Sequence, residues 1–158
     1  MRADILPDLV CACASLRRAA RAMTRLYDRA LGTTGVGAQQ LTLLQVLARH
    51  EDPPLTQRAL GEFLAIDSTT LTRTLAPLAQ RGWVRSRPGA DRRERLWTIL
   101  PAGKRQLQRA LPRWERVQQR VRSRIGPRHW DTLIEETTRI ATAARMRALD
   151  GLRVEEDQ

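Results

Sequence analysis

The chain has 158 residues, 42% of them hydrophobic, which is enough for one domain, or one small domain with helical extensions, around a real core. Its 28 Lys and Arg residues exceed its 17 Asp and Glu residues by 28 − 17 = 11, and nearly all of this positive charge is arginine. Because the planar guanidinium suits phosphates and base edges, polyanions are the leading class of partner. No run approaches the roughly 20 apolar residues of a membrane span, and the start MRADILPDLV lacks the apolar region of a signal peptide, so we expect a cytoplasmic chain.

Residue types that serve metal, cofactor and catalytic sites are sparse. Cys11 and Cys13 would point about 200° apart on a helix, and His50 and His129 stand alone, so a zinc site within one chain is not expected. The glycine-rich nucleotide motifs and the serine-nucleophile motif are also missing from the sequence. We therefore expect no enzymatic activity and no cofactor.

The first two predicted helices are separated by glycines. The first helix carries one stripe of apolar or small residues and ends at Gly32 and Gly35. A second helix is expected from about Ala38 to Arg49, where the prolines of EDPP prevent its continuation. The stripe of the first helix consists of Leu9, Cys13, Leu16, Ala20, Met23, Tyr27 and Leu31.

Two shorter helices follow, and the second of them has a polar first half. The third helix begins at Thr56, and the fourth begins at Asp67 or Ser68, both favourable N-caps. In a helix-turn-helix, short polar side chains and an arginine at the start of the second helix reach base edges and phosphates in the major groove. The alternative is that the threonines only cover a solvated helix face. The apolar faces are predicted to contain Leu60, Phe63, Leu64, Leu71, Leu75 and Leu78, and the residues predicted to contact DNA are Ser68, Thr69, Thr70, Thr72 and Arg73.

A β-hairpin is predicted after Gly82, which ends the fourth helix. WVRSR and RLWTIL are the strands, with Trp97 and Ile99 on one face, and PGADRRE is the turn. Its arginines do not alternate with acids, and a narrow minor groove attracts inserted arginine. Such a hairpin is a wing, and double-stranded DNA explains helix and wing together. The wing arginines predicted to contact DNA are Arg87, Arg92, Arg93 and Arg95.

Two long amphipathic helices are predicted in the last third of the chain. Both helices have an apolar stripe that requires a packing partner to bury it. The first helix and a partner subunit could bury these stripes. A bundle within one chain would fit the same spacing. One stripe contains Leu107, Leu111, Trp114, Val117 or Gln118, Val121 and Ile125, and the other contains Trp130, Leu133, Ile134, Thr137, Ile140, Ala141 and Ala144.

The segments LTLLQVLA and TQRALGEFLAIDSTTLTRTLAPLAQRGWVRSRPGADRRERLWTILPAGK resemble the MarR family of winged-helix transcription regulators. The resemblance spans about residues 9 to 145, and its most specific parts are Asp91-x-Arg93 and LPAGK. It implies a mainly α fold with a small β wing: a winged helix-turn-helix lobe at 37–103, and terminal helices at 1–36 and 104–158 that form an entwined dimerisation platform. It also implies a homodimer on a pseudo-palindromic operator, with Asp91 bracing the wing by pairing with an arginine and Arg93 or a neighbour entering the minor groove.

The same resemblance suggests what the regulator senses. In relatives, aromatic acids or phenolic compounds bind between the dimer platform and the winged lobes. Arg17 is therefore a candidate anchor for an anionic effector. The alternative is that Arg17 is an ordinary surface arginine that pairs with Asp or Glu. In the branch that senses organic hydroperoxides, Cys13 falls on the reactive position and Tyr27 matches one tyrosine of the site, whereas Arg17 replaces the other. A nearby arginine favours the thiolate. The competing interpretation is that Cys13 is a small buried core residue.

Overall fold

The computed structural model describes residues 11–91 and 93–145, and in this part of the chain it is mainly helical with a small antiparallel sheet. The predicted fold class is therefore confirmed. Leu9 and Arg92 lie outside the described residues. The elements in chain order are α1 (Ala12–Leu31), a 3-10 turn (Gly32–Thr34), α2 (Ala38–Arg49), β1 (Leu55–Thr56), α3 (Gln57–Leu64), α4 (Ser68–Gln80), β2 (Val84–Pro88), β3 (Arg95–Ile99), α5 (Pro101–Ile125) and α6 (Pro127–Arg145).

The chain divides into two compact units between Val117 and Gln118, within α5. The first unit contains the elements from α1 to β3 and most of α5. The second contains the end of α5 together with α6. The predicted division at residue 104 between a winged lobe and dimerisation helices stays a prediction.

The core of the first unit is built by leucines of α2, α3 and α4. Leu60, Leu71, Leu75 and Leu78 are all buried, as their helical spacing predicts. Phe63 was predicted to share this inward face, and that prediction is wrong because its side chain is 56% exposed. On the short α3, Leu60 takes the inward position, and the Phe63 ring meets the edge of His50 with 5.9 Å between ring centroids. The α2 residues of the core are Leu41, Leu43, Leu44, Val46 and Leu47.

The sheet has three strands in the order β1-β3-β2, with both pairings antiparallel. The predicted hairpin of β2 and β3 is present, with Val84 opposite Ile99, and both of these residues are buried. β1 was not predicted, and its Leu55 pairs with Trp97 of the central strand. A two-residue strand is too short to show the alternation by which strands are predicted. β1 nevertheless joins the start of α3 to the wing.

The first turn of α5 packs directly against the backbone that follows α4. Gly103 is buried, and a Cβ atom placed on it would lie 2.2 Å from the carbonyl oxygen of Trp83. The same oxygen accepts a hydrogen bond from the backbone N–H of Leu100, at 2.8 Å. Lys104 then forms an ion pair with Glu51, with 2.6 Å between Nζ and Oε2. The glycine of LPAGK thus permits a backbone approach that no other residue allows.

The apolar stripes of α1 and α6 are only partly covered. On α1, Tyr27 and Leu31 are buried, whereas Ala20 is exposed. The described side chains of α6 include none that is buried. The exposed large apolar side chains of the second unit are Ile125 at the end of α5 and Leu133, Ile134 and Ile140 on α6.

Candidate nucleic-acid interface

The N-terminus of α4 is held by Asp67. Its carboxylate Oδ1 accepts from the backbone N–H of Thr70 at 2.9 Å, and its Oδ2 accepts from the Thr70 hydroxyl at 2.6 Å. These hydrogen bonds, the hydroxyl bond first, hold the pKa of Asp67 below its usual value. The cap therefore fixes the first turn of α4 with a side chain that is ionised at neutral pH.

Three threonine hydroxyls of α4 donate their protons to the N-cap or to backbone carbonyls of the helix. Thr70 donates to Asp67, Thr72 donates to the carbonyl of Ser68 at 2.8 Å, and Thr74 donates to the carbonyl of Thr70 at 2.8 Å. Thr70 was predicted on the outer, presenting face, but it is only half-exposed because its hydroxyl turns back to the cap. The side chains of Ser68, Thr69, Thr72 and Arg73 are exposed, as predicted for that face.

The turn of the wing is closed by its own backbone and by Asp91. The backbone N–H of Gly89 donates to the carbonyl of Glu94, and the N–H of Glu94 donates to the carbonyl of Asp91. Asp91 Oδ1 accepts from the backbone N–H of Arg93 at 2.9 Å. Within residues 11–91 and 93–145, the contact of Asp91 is thus with backbone, and it forms no ion pair with an arginine side chain. The implied pairing of Asp91 with an arginine is not found among these residues, because the carboxylate turns inward to close the turn. Arg92 lies outside the described residues.

A groove of about 640 Å³, here called the wing groove, lies between α3, the start of α4 and the wing. It brings together residues that are more than twenty positions apart in the chain: Ser68 from α4, and Asp91, Arg93 and Arg95 from the wing. Its α3 side includes Gln57 and an ion pair of Arg58 with Glu62, at 2.8 Å. Arg87 is exposed on β2 and does not line this groove. The wing groove is thus concave and offers guanidinium donors beside the polar start of a helix.

A second groove of about 540 Å³, here called the helix groove, lies on another side of α4. Arg73, Thr74 and Pro77 line it from α4, while Asp28 and the residues around Gly37 line it from α1 and α2. Asp28 Oδ1 accepts from the backbone N–H of Ala38 at 2.7 Å, so the start of α2 is already capped by a carboxylate. Ser68 and Arg73, predicted to act on one surface, therefore border different grooves of the same helix.

A hydrogen-bonded glutamine that was not predicted from the sequence connects the wing and α4. Gln57 Oε1 accepts from the indole N–H of Trp97 at 3.1 Å, and Gln57 Nε2 donates to the hydroxyl of Thr72 at 3.1 Å. Gln57 is the first residue of α3, where many polar residues are tolerated, so its type carried no signal. Trp97 could have indicated the role of Gln57, because a half-buried indole N–H needs a hydrogen-bond acceptor.

The candidate sensing residues lie on α1, where Cys13 and Arg17 are one turn apart and Tyr27 is further along the helix. Cys13 and Arg17 are exposed, Arg17 lines neither groove, and the sulfur of Cys13 is a free thiol. In the part of the chain that the structure describes, Cys13 is exposed and is not a buried core residue of the single chain. Tyr27 is buried, and this burial raises the pKa of its phenol. Tyr27 follows Cys13 by fourteen residues, which corresponds to about 21 Å along a helix.

Two further features of the described residues bear on function. None of the helices in this part of the chain is long and apolar enough to cross a membrane. Residues 11–91 and 93–145 also contain no group of three or more His, Cys, Asp and Glu side chains that could hold a metal ion.

Comparison with known proteins places the fold. The family model described as MarR family matches residues 34–94. The transcriptional regulator MosR of M. tuberculosis, solved in complex with DNA, superposes with a TM-score of 0.73 at 35% identity, and the match covers 86% of this chain and 99% of MosR. PcaV of Streptomyces coelicolor, solved with its natural ligand, has the same fold at 23% identity, with a TM-score of 0.74 over 90% of this chain and 100% of PcaV.

A curated relative supports the same assignment. An uncharacterised HTH-type transcriptional regulator of Bacillus subtilis, YwoH, is 31% identical over 81 residues. The matched segment is 51% of this chain and spans 58% of the length of YwoH. From the nearly complete match with MosR, the MarR family match and the winged fold, it follows that this chain belongs to the MarR family of DNA-binding, winged-helix transcriptional regulators.

Proposed function

We propose that the chain is a transcriptional repressor that acts as a homodimer on a pseudo-palindromic site in double-stranded DNA. The observation that carries this proposal is the wing groove, in which Arg93 and Arg95 border the same concave surface as Ser68 at the start of α4. Guanidinium groups bind phosphates and a narrow minor groove, whereas short polar side chains on a helix reach base edges. The chain's excess of 11 positive charges supports attraction of DNA over longer distances. MosR, at 35% identity, has been solved bound to DNA.

The homodimer is supported by the apolar faces of the terminal helices. Leu133, Ile134 and Ile140 of α6 are between 42% and 49% exposed, and the N-terminal half of α1 has no buried residue. Large apolar side chains grouped on one helix face usually mark an interface. A second copy of the chain would cover them and would set two wings at a fixed separation, so that half-sites are expected about one helical turn of DNA apart.

The experiment that tests the proposal is selection of duplexes from a randomised pool, followed by fluorescence-anisotropy titration at several salt concentrations. Wild type is expected to enrich a pseudo-palindrome. Arg93→Ala is expected to weaken binding about equally for all sequences and to reduce the slope of log K against log salt by about one, because one phosphate contact is lost. If wild type enriches no sequence, the proposed function is wrong.

Arg139→Ala is the matched control. It removes the same charge from an exposed arginine that lines neither groove and pairs with Glu136 on α6. Its salt slope is expected to equal that of wild type. Equal slopes for Arg93→Ala and wild type would contradict the role of the wing.

We further propose that a small aromatic or phenolic compound releases the protein from DNA, with Arg17 binding its anionic group. The exposure of Arg17 on the part of α1 that a second chain would cover supports this proposal. The alternative is a thiol sensor of organic hydroperoxide, which the exposure of the free thiol of Cys13 favours. Since Tyr27 is about 21 Å away along α1, it does not lie beside the thiol of its own chain.

Two variants separate the sensing models in the same anisotropy assay. Under the ligand model, Cys13→Ser responds to aromatic acids as wild type does, whereas Arg17→Ala binds DNA normally and loses the response. Release of wild type, but not of Cys13→Ser, by a few equivalents of organic hydroperoxide would replace the ligand model with redox sensing.

A further inference from the structure

Three hydrogen bonds connect the wing, α3 and α4 in series. The indole N–H of Trp97 donates to Gln57 Oε1 at 3.1 Å, and Gln57 Nε2 donates to Thr72 Oγ1 at 3.1 Å. The Thr72 hydroxyl then donates to the carbonyl oxygen of Ser68 at 2.8 Å. The series begins on the central strand β3 and ends on the exposed face of α4.

The directions of the first two bonds in this series are set by Trp97. An indole N–H can only donate, so the amide oxygen of Gln57 must face it. The amide nitrogen, which also only donates, is therefore turned towards Thr72. Thr72 must accept that bond, and its single hydroxyl proton is left for the carbonyl of Ser68. The orientation of the Gln57 amide is thus determined by chemistry, although its nitrogen and oxygen have nearly the same shape.

The Thr72 hydroxyl consequently faces outward as an acceptor. A hydroxyl group has one proton and two acceptor lone pairs, and the proton and one lone pair are used. Among residues 11–91 and 93–145, no other hydrogen-bond partner of this oxygen is found. One lone pair remains on an exposed side chain in the second turn of α4. In the major groove, the groups that can donate to it are the amino groups of adenine and cytosine, whereas guanine and the O4 atom of thymine offer acceptors.

We propose that Gln57 is a positioning residue that holds the Thr72 side chain in place while the carbonyl of Ser68 takes its hydroxyl proton, so that Thr72 reads an amino group of adenine or cytosine at one position of each half-site. This inference rests on the proposed function, because it requires α4 to lie in the major groove. Arg73, which only donates, complements Thr72 by being suited to guanine. The α4 surface thereby distinguishes bases that a freely rotating hydroxyl would accept equally.

The first arm of the test compares selected sequences. Wild type, Thr72→Val and Gln57→Met are each used to select from the same randomised duplex pool. Wild type is expected to prefer adenine or cytosine at one position per half-site. Thr72→Val keeps the shape of the side chain, removes the hydroxyl, and is expected to lose this preference with about a fivefold to tenfold loss of affinity for the wild-type site. Gln57→Met is expected to weaken this preference, because the Thr72 side chain loses the hydrogen bond that holds it beside α3.

The second arm deletes the amino group from the DNA. Purine in place of adenine, or pyrimidin-2-one in place of cytosine, is placed at the position that Thr72→Val identifies. Wild type is expected to lose about as much affinity as Thr72→Val loses, and Thr72→Val is expected to lose nothing further. A purely structural role of Gln57 would weaken binding at every position and would not interact with this one substitution.

Gln80→Met is the matched control, since Gln80 is exposed at the end of α4 and lines neither groove. It is expected to retain the wild-type preference, and thermal unfolding checks that every variant folds. The inference is overturned if wild type enriches a sequence and Thr72→Val keeps the same base preference. It is also overturned if wild type prefers guanine or thymine at the affected position. Either result leaves the proposed function intact. If wild type enriches no duplex, both are wrong.

Discussion

Asp67 links the stability of α4 to pH. Its pKa is lowered below the usual value of 3.8 by the hydroxyl and the backbone N–H of Thr70. A carboxyl whose pKa is lowered by folding contributes stability that is complete above the unfolded value and is lost as the pH falls through the folded value. We therefore expect Asp67→Ala to have a lower melting temperature than wild type at neutral pH, with a difference that shrinks once the pH falls below 3.8.

Thermal unfolding followed by circular dichroism across this pH range provides the measurement. Ser68→Ala is the control at the adjacent position, because neither serine nor alanine has a side chain that titrates in this pH range. A difference between wild type and Asp67→Ala that persists unchanged in acid would show that the ionised cap does not stabilise the helix.

Arg73 and Arg93 lie on different parts of the predicted DNA-binding surface. It borders the helix groove together with Thr74 and Pro77, whereas Arg93 borders the wing groove. If Arg73 contacts a base edge, Arg73→Ala is expected to cost about 1–3 kcal/mol of binding free energy and to relax the preference at one position per half-site. Titration of wild type and variant against single-base variants of the selected duplex measures this. An equal loss of affinity on every duplex would assign Arg73 to the phosphate backbone.

At the scale of the elements, α5 approaches the segment after α4 closely at Gly103. Gly103→Ala would place its Cβ atom 2.2 Å from the carbonyl oxygen of Trp83, and a backbone atom cannot yield as a flexible side chain can. Overpacking of this kind costs about 1–3 kcal/mol of unfolding free energy. Denaturant unfolding of Gly103→Ala is expected to show this loss.

Gly32→Ala is the matched control for Gly103→Ala. Gly32 has a right-handed helical backbone conformation, and no atom lies within 4 Å of a Cβ atom placed there. Alanine at such a position is expected to raise the unfolding free energy by about 0.4–1 kcal/mol, because it restricts the unfolded chain. Similar losses for both variants would show that the Trp83 contact does not account for the effect.

An element could be predicted from the sequence when the residues that determine it are close to it in the chain. α2 begins at Ala38 and ends at Arg49 as its stripe and flanking prolines predict, and Asp67 caps α4 as predicted from its type. Both signals lie within a few residues of the feature they specify. β1 and the bonds of Gln57 to Trp97 and Thr72 depend on pairing across 15 to 42 positions, which no local pattern encodes. The exposure of Phe63 was missed for the same reason, since helical spacing gives a face but not the partner that covers it.

At the scale of the whole molecule, we expect a dimer that depends on the exposed face of α6. Ile134→Asp places a charge on an apolar side chain that is 49% exposed in the single chain, and burial of this charge in an interface would be costly. Sedimentation is expected to show monomer for Ile134→Asp and dimer for wild type, and the variant is expected to melt at lower temperature and to bind DNA more weakly.

Thr132→Asp is the control for Ile134→Asp. It adds the same charge to an exposed residue about 200° further round α6, so it is expected to remain dimeric. If the Ile134→Asp variant sediments as a dimer and binds DNA like wild type, the interface lies elsewhere.

The strand order β1-β3-β2 has a consequence for solubility. β2 is an edge strand, so one side of its backbone has no neighbouring strand in the sheet and could pair with the edge of another molecule. Arg85 and Arg87 are exposed along this strand, and Pro88 at its end has no N–H to donate. Like charges on two such edges repel each other, and the proline shortens the region that could pair. The arginines that give the wing its charge are therefore also expected to keep two wings from joining into a continuous sheet at high protein concentration.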